Sequence, residues 1–314
     1  MNPIHAIPTT VRWGMLLALG AAALSGLNIF VNGFAVKQLP DPAIYTTIKN
    51  GVAAIGLVCL VALSTRPGVP ARIPARSWGW LTVIGVVGGS VPFVLFFTGL
   101  AQASAPGAAF IHKTLFIWVA LLAVPLLRER LGIVQIGALG VLFGGQLLIL
   151  APAGVTWGTG ETLIAVATLL WAVETIIARR VLSSVPSSIV GAARLGIGLV
   201  VLVAYLAMTG KLPAVATLTA SQWAWAGLTG LLLGGYVATW FAALQRAPAS
   251  LVTAILVLGA PVTAALQSLT TGSAPALPAL TGQLLLFGAV ALLVLPAALP
   301  RRPLAERAPV GAAG

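Results

Sequence analysis

Apolar stretches as long as a bilayer is thick recur from one end of this 314-residue chain to the other. A helix needs about 20 apolar residues to cross the hydrocarbon core of a membrane, and helices satisfy their own backbone polar groups there. Charged residues make up 7% of the chain, against about a quarter in soluble proteins. The sequence therefore predicts an all-α integral membrane protein that crosses the bilayer many times.

Ten transmembrane helices are predicted from these runs, separated by short connections in which proline and glycine collect. The predicted helices are residues 13–35, 43–64, 78–101, 107–127, 132–150, 158–178, 188–209, 222–244, 249–270 and 279–299. Pro92, Pro125 and Pro261 fall inside three of them and are candidates for helix kinks, which membrane helices tolerate.

Basic residues give the expected orientation, because cytoplasmic loops retain lysine and arginine. With a cytoplasmic N-terminus, twelve basic residues fall on the cytoplasmic side, and only Lys37 and Lys211 fall on the outer side. The cytoplasmic set is Arg12, Arg66, Arg72, Arg76, Arg128, Arg130, Arg179, Arg180, Arg246, Arg301, Arg302 and Arg307. We expect both termini to be cytoplasmic and the protein to lie in the cytoplasmic (inner) membrane of a prokaryote. The same bias explains the net charge of +12, so no nucleic-acid partner is predicted.

The two halves of the chain are weakly similar in the same order. The stretch "KNGVAAIGLV" from Lys49 aligns with "RLGIGLVVLV" from Arg194, and Asn28 aligns with Glu174. Each half holds five predicted helices, and an odd number turns the second half upside down relative to the first. The predicted units are a first five-helix repeat, a second inverted repeat and a short cytoplasmic tail, at residues 1–152, 153–300 and 301–314. Inverted repeats are typical of transporters with a substrate site near the midplane.

Three stretches also resemble a known family. They are "WGMLLALGAAALSGLN" from Trp13, "PLLRERLGIVQIGALGVLFGGQLLIL" from Pro125, and "LLWAVETIIARR" from Leu169. Together they resemble the EamA-type family of the drug/metabolite transporter superfamily, with Glu129 at the acidic position of its signature. The resemblance implies a carrier, usually an exporter, of small metabolites such as amino acids. The second repeat departs from the signature, because Ser273 stands where the acidic residue would recur.

Ionisable side chains inside the predicted helices are functional candidates, because each costs at least about 2.5 kcal/mol near the bilayer centre. Lys49 and Arg194 occupy matching positions in the two repeats, which favours a structural role shared by both halves. A Glu174–Arg194 ion pair is predicted between the sixth and seventh helices, with a free, proton-carrying Glu174 as the alternative. In the first half Asn28 replaces the acid, so Lys49 needs a water-filled cavity, another acceptor or a substrate anion.

His112 and Lys113 have no counterparts in the second repeat, which favours a role toward an asymmetric substrate. Adjacent residues of a helix diverge by about 100°, so we expect one of the two to face a cavity and the other a neighbouring helix. Snorkelling of Lys113 toward the surface remains the alternative. Asn28 and Asn32 share a helix face. The predicted substrate-binding residues are Lys113, His112, Asn28, Asn32, Lys49, Trp171 and Tyr236, with Glu174 expected in the opposite half of the bilayer.

A cavity of lysines and amides favours an anionic or zwitterionic solute. We therefore predict a secondary transporter that moves an amino acid or organic anion by alternating access, in the direction of export. One alternative is a proton-coupled multidrug exporter of organic cations with Glu174 as proton carrier. Another is a lipid-head-group flippase or membrane enzyme using His112, Lys113 and Glu174, which the separate depth of Glu174 disfavours.

The expected partners are a small-molecule substrate and the lipid bilayer. Protons are a further candidate, because His112 is of the residue type that ordinarily titrates near neutral pH. No catalytic constellation, cofactor or metal site is predicted, and Cys59 is the only cysteine. The chain is expected to act as a monomer or a homodimer.

Overall fold

A computed structural model describes residues 9–39, 41–64, 73–100, 102–103, 105–150 and 157–298. All regular secondary structure in these ranges is helical, which confirms the all-α prediction. The predicted tail at 301–314 and the basic residues Arg66 and Arg72 lie outside the described residues.

Thirteen α-helices occur in the described ranges. They are α1 (Thr9–Ala35), α2 (Pro42–Ser64), α3 (Ala75–Gly89), α4 (Val91–Leu100), α5 (Ala105–Lys113), α6 (Leu115–Leu127), α7 (Ile133–Leu150), α8 (Thr159–Val181), α9 (Ser187–Met208), α10 (Ala220–Arg246), α11 (Ala249–Leu256), α12 (Gly259–Thr271) and α13 (Leu277–Ala298). Short 3-10 turns follow α1 at Val36–Gln38 and precede α10 at Leu212–Thr217.

Nine helical stretches of the described chain are long and apolar enough to cross a membrane. The remaining predicted helix, at 132–150, is helical as α7, but its apolar part, Ile133–Ile149, is shorter than the other nine. The helical, multi-spanning character is thus shown, while the count of ten crossing helices stays a prediction.

Three predicted helices are each broken into two. The breaks lie at Ser90, at Thr114 and at Val257–Leu258. Two of them come just before a proline, Pro92 or Pro261. A proline has no N–H to donate to the carbonyl four residues earlier, so Pro92 leaves the carbonyl of Gly88 without its helical partner.

The breaks differ in how they relate to the repeat. At the offset of 144 residues that aligns Leu100 with Leu244, Thr114 aligns with Leu258, so this break occurs in both halves. The break at Ser90 has no equivalent, because the corresponding part of α10 is continuous. The first repeat therefore carries one half-helix, α4, that the second lacks.

The helices of the two repeats pack against each other in matching pairs. Helix α1 packs on α10, and its counterpart α8 packs on α3 and α4; α2 packs on its counterpart α9, and α7 on α13. The core draws on both halves, with Phe116 of α6 and Phe241 of α10 among its largest fully buried side chains. Exchanged pairs of this kind are what a two-fold relation between two repeats produces.

Glu129, the acidic residue of the loop before α7, ties the first repeat to the second. Its carboxylate accepts hydrogen bonds from the backbone N–H groups of Ala249 at 2.6 Å and Ser250 at 3.2 Å, and from the Ser250 hydroxyl. The first N–H groups of a helix lack internal partners, and a negative charge there is favourable. Glu129 therefore caps α11 from the other half of the chain.

Replacing Glu129 by Gln keeps the shape of the side chain and removes its charge. We expect a loss of about 1 kcal/mol of stability, typical of a lost helix cap, seen as a lower thermal unfolding midpoint of the purified protein. Ser250→Ala removes one of the three contacts and should cost less. Equal midpoints for the parent and Glu129→Gln would contradict the capping role.

A second tie between the repeats lies at the other end of α10. Lys211 Nζ donates to Asp41 Oδ2 at 2.7 Å. Partial burial of Asp41 favours its neutral form and raises its pKa. The hydrogen bonds from Lys211 and from the N–H groups of Ala43 and Ile44 outweigh this burial effect, so the pKa of Asp41 lies below 3.8. The hydrogen bond to Asp41 raises the pKa of Lys211 above 10.5.

The Asp41–Lys211 pair should stabilise the protein across the neutral range. Its contribution is lost as pH falls below 3.8 through the pKa of folded Asp41, or rises above 10.5 through that of folded Lys211. Asp41→Asn retains the helix-capping oxygen and removes the charge, so it should cost about 1 kcal/mol or less at pH 7, as exposed pairs do. The difference between the unfolding midpoints of parent and variant should shrink as pH falls below 3.8; a difference at pH 3 as large as that at pH 7 would count against the pair.

Candidate functional site

A cavity of about 440 Å³ lies between the helices of the two repeats. Its walls include every residue that the sequence singled out for substrate binding or pairing. These are Asn28, Asn32, Lys49, His112, Lys113, Trp171, Glu174, Arg194 and Tyr236. The structure thus brings together side chains from α1, α2, α5, α8, α9 and α10, and their binding roles remain predictions.

Glu174 and Arg194 are in contact, as the sequence analysis anticipated. Arg194 Nε donates to Glu174 Oε1 at 3.0 Å, and both side chains are buried. The Arg194 guanidinium also lies 5.8 Å from the centre of the Phe93 ring. The contact joins α8 to α9 on the wall of the cavity.

Helix α3 approaches this contact closely because its end has no side chains. A Cβ atom added to Gly88 would stand 2.4 Å from the carboxyl carbon of Glu174, and one added to Gly89 only 2.0 Å from the Arg194 carbonyl oxygen. The Gly88 carbonyl, which Pro92 leaves without a helical donor, accepts a hydrogen bond from Trp171 Nε1 at 3.1 Å. The break in the third predicted helix therefore positions Trp171.

Glu174 lines the same cavity as His112 and Lys113. Trp171, one turn before Glu174 on α8, lies against His112 with ring centres 5.0 Å apart. The three ionisable side chains therefore share one cavity, and the placement of Glu174 in the opposite half of the bilayer stays a prediction.

His112 is enclosed by aromatic rings. Its imidazole lies 5.2 Å from Phe96 and 5.0 Å from Trp171, both edge to face. Its Nδ1 is buried and has no hydrogen-bond partner within the part of the chain that the structure describes. Lys113 also lines the cavity, so the expectation that only one of the two would do so is wrong. Helix α5 ends at Lys113, and His112 faces the cavity and packs on α8 at the same time.

The two amides of α1 form a polar strip with a tyrosine of α2. Asn32 Nδ2 donates to Asn28 Oδ1 at 3.0 Å, and the Tyr45 hydroxyl donates to Asn32 Oδ1. Tyr45 also underlies Lys49, whose Nζ lies 5.0 Å from the Tyr45 ring centre and 5.8 Å from that of Phe97. Aromatic faces rather than a carboxylate therefore hold the Lys49 ammonium.

The acidic residues of the described chain are all engaged away from the two cavity lysines. Asp41 pairs with Lys211, Glu129 caps α11, Glu161 accepts from the N–H of Gly158 at the start of its own helix, and Glu174 pairs with Arg194. Lys49 and Lys113 make no ion pair with any described residue. The uncompensated charge of the cavity is therefore positive.

Several wall residues were missed by sequence reasoning. Tyr45, Phe93, Phe96 and Phe97 all face the cavity. Three of them belong to the run "FVLFF" in α4, where positions three and four apart share a face, and that spacing was an available signal. No group of three or more His, Cys, Asp or Glu side chains within the described ranges is placed to hold a metal.

Matches to a known family and to a solved structure cover most of the chain. The model of the EamA-like transporter family matches residues 12–151 and again residues 158–295. No curated protein matches the chain. A solved structure described as "Crystal structure of protein" aligns over 90% of this chain and 97% of its own, with a TM-score of 0.74 and 19% sequence identity. Likeness at this identity shows a shared fold.

Replacing Glu174 by Gln should leave the Arg194 guanidinium buried without its counter-charge. Removing one partner of a buried pair costs about 3–5 kcal/mol, so we expect a marked fall in the thermal unfolding midpoint. Combining Glu174→Gln with Arg194→Met should recover much of the loss, because an apolar replacement of both partners is often tolerated.

Glu161→Gln is the matched control for this series, since Glu161 is a buried acid of the same helix that only caps its start. It should cost about 1 kcal/mol. If Glu174→Gln is no more destabilising than Glu161→Gln, the Glu174–Arg194 contact does not hold α8 and α9 together.

Proposed function

Because the chain belongs to the EamA-like transporter family, whose members are membrane transporters of the drug/metabolite transporter superfamily, we propose that it is a secondary carrier of small carboxylates. Amino acids and organic anions are the proposed substrate classes, and export is the proposed direction. The cavity of about 440 Å³ between the two repeats, called the central cavity below, is the proposed substrate site.

This proposal rests on Lys49 and Lys113, whose positive charges no described carboxylate neutralises. Two ammonium groups on the wall of an intramembrane cavity are costly unless something neutralises them. Lys49 is 4% exposed and is held by the rings of Tyr45 and Phe97, which compensate a cation only in part. A substrate carboxylate entering the cavity supplies the missing counter-charge and accepts hydrogen bonds from both lysines.

The rest of the cavity suits an organic molecule rather than an inorganic ion. Phe93, Phe96, Trp171, Tyr236 and Trp240 give it apolar walls, as ligand pockets usually have. The Asn28–Asn32 strip adds amide groups that both donate and accept hydrogen bonds. An amino acid would place its carboxylate at the lysines and its ammonium toward the amide oxygens.

Alternating access between two inverted repeats is the proposed mechanism. The two inter-repeat ties support it, because they lie at opposite ends of α10. This helix has 27 residues and is about 40 Å long at 1.5 Å per residue. Release of the Glu129 tie at one end, or of the Asp41–Lys211 tie at the other, would open the cavity to opposite sides of the membrane. We place both termini in the cytoplasm of a prokaryote, on the distribution of basic residues.

A multidrug exporter of organic cations is the less favoured alternative. Such a carrier needs an uncommitted carboxylate in the cavity, whereas Glu174 is paired with Arg194 at 3.0 Å. Coupling to protons is proposed through His112 rather than through Glu174, since no described residue is a hydrogen-bond partner of the buried His112 Nδ1.

Lys113→Ala should weaken substrate binding with little change in folding. Hydrogen bonds to charged groups contribute about 1.5–3 kcal/mol, so the half-saturation concentration for carboxylate uptake into proteoliposomes should rise roughly ten- to hundredfold. Lys37→Ala removes an exposed lysine outside the cavity and should behave like the parent. A Lys113→Ala protein with parental half-saturation would show that Lys113 only snorkels to the surface.

The pH dependence of uptake tests the role of His112. If His112 carries the coupled proton, His112→Ala should flatten the dependence of uptake on an imposed pH gradient. A variant that responds to the gradient like the parent would remove His112 from proton coupling.

The substrate class can be tested by thermal shift with amino acids, organic acids, nucleosides and cationic dyes. Stabilisation by compounds bearing a carboxylate, lost in Lys113→Ala, is the expected result. Stabilisation by cationic dyes alone would overturn the proposal and favour the multidrug alternative.

A further inference from the structure

A second, smaller cavity of about 160 Å³ adjoins the central one. It lies among α2, α4 and α9, and its mouth is formed by the partly exposed Asp41–Lys211 pair. Its lining includes Asp41, Ala43, Thr46, Phe93, Phe97 and Lys211.

The two cavities share a wall made of two rings. Phe93 and Phe97 of α4 line both of them, whereas Phe96 lines the central cavity alone. On the central side, Phe93 lies 5.8 Å from the Arg194 guanidinium and Phe97 lies 5.8 Å from the Lys49 ammonium. The rings that separate the cavities therefore also cover the cations of the central one.

The small cavity offers unused hydrogen-bond donors. Thr46 is 2% exposed, and its hydroxyl is buried with no hydrogen-bond partner among the described residues, a state that native proteins seldom leave without a ligand or water. The ammonium of Lys211 has three donors, of which one is used on Asp41 at 2.7 Å. Both groups suit a carboxylate.

We propose that the small cavity is an entry site for the carboxylate of the transported solute, and that Phe93 and Phe97 form the barrier between this site and the central cavity. This inference rests on the proposed carrier function. Thr46 and Lys49 lie three residues apart on one side of α2. The Phe97 ring lies against the Lys49 ammonium. A carboxylate that leaves Lys211 and Thr46 therefore meets Lys49 once the Phe97 ring moves aside.

The break at Ser90 makes such a movement possible. Ser90 has φ of −138° and ψ of −71°, outside the helical range, and α4 begins directly after it. Its hydroxyl donates to the Val86 carbonyl at 3.0 Å, which satisfies the end of α3 without α4. Helix α4 therefore carries its phenylalanines on a segment whose backbone hydrogen bonding is largely its own.

Cysteine reactivity tests the barrier directly. Cys59, the only cysteine, is first replaced by Ser; Ala43→Cys then reports on the small cavity and Ser25→Cys on the central one. A membrane-impermeant sulfonated thiol reagent is added to the side of the membrane that carries Lys211. We expect Ala43→Cys to react readily and Ser25→Cys slowly.

Removing either barrier ring should change the thiol reactivity of Ser25→Cys alone. Phe97→Ala or Phe93→Ala should speed the reaction of Ser25→Cys about tenfold, the change that a barrier lowered by about 1.4 kcal/mol produces, and should leave Ala43→Cys unchanged. Val94→Ala is the matched control, because Val94 belongs to α4 and lines the small cavity alone, and it should leave Ser25→Cys unchanged. Equal acceleration by Val94→Ala, or none by the other two, would overturn the barrier.

Anion capture has its own test in the same proteins. Ala43→Cys should react faster with the sulfonated reagent than with a cationic thiol reagent of equal size, and Lys211→Gln should abolish that preference. A preference that survives Lys211→Gln, or an unreactive Ala43→Cys, would overturn the entry site.

Folding and transport are measured separately from these reactions. If an alanine variant fails to fold, Phe97→Leu and Phe93→Leu open the same wall with less loss of packing and give the same readout. The labelling pattern does not require transport, so the expected pattern without carboxylate uptake would refute the carrier function alone. Uptake without the pattern would refute the entry site alone.

Discussion

The contact between Glu174 and Arg194 determines the character of the central cavity. It joins α8 to α9 inside the membrane, and α3 can approach it only because Gly88 and Gly89 have no side chains. It also commits the single acid of the cavity wall to an internal partner. The cavity is left with a positive charge, and the proposed preference for carboxylates follows from that imbalance rather than from any one binding residue.

Aromatic rings lie against two of the cations of the central cavity and compensate their charge in part. The ring faces of Tyr45 and Phe97 lie by Lys49, and that of Phe93 lies by Arg194. Such contacts contribute about 0.5–2 kcal/mol, less than a buried charge requires. A cation held in this way is stable enough to remain in the membrane and still gains from an anion. This is the balance that a carrier needs, because a site that binds too tightly does not release.

The helices could be predicted from the sequence to within a few residues, because bilayer thickness and apolar length leave little choice. The ionisable residues singled out inside the predicted helices also line the cavity, since charge in lipid is too costly to be placed at random. The phenylalanines of α4 were missed although their spacing places them on one helix face, because the spacing does not tell which cavity that face lines. Tyr45 carried no comparable signal. The break at Ser90 was signalled only by Pro92, whose effect on the Gly88 carbonyl depends on Trp171 lying nearby.

The unequal distribution of helix breaks has a kinetic consequence. The break at Thr114 is matched at Val257–Leu258, but the break at Ser90 has no partner in the continuous α10. A carrier with identical halves would face the same barrier in opening to either side. Here the backbone break at Ser90 separates α4 from α3, and the second repeat has no such break. Under the proposed alternating access, opening to the two sides of the membrane is therefore expected to have different rate constants.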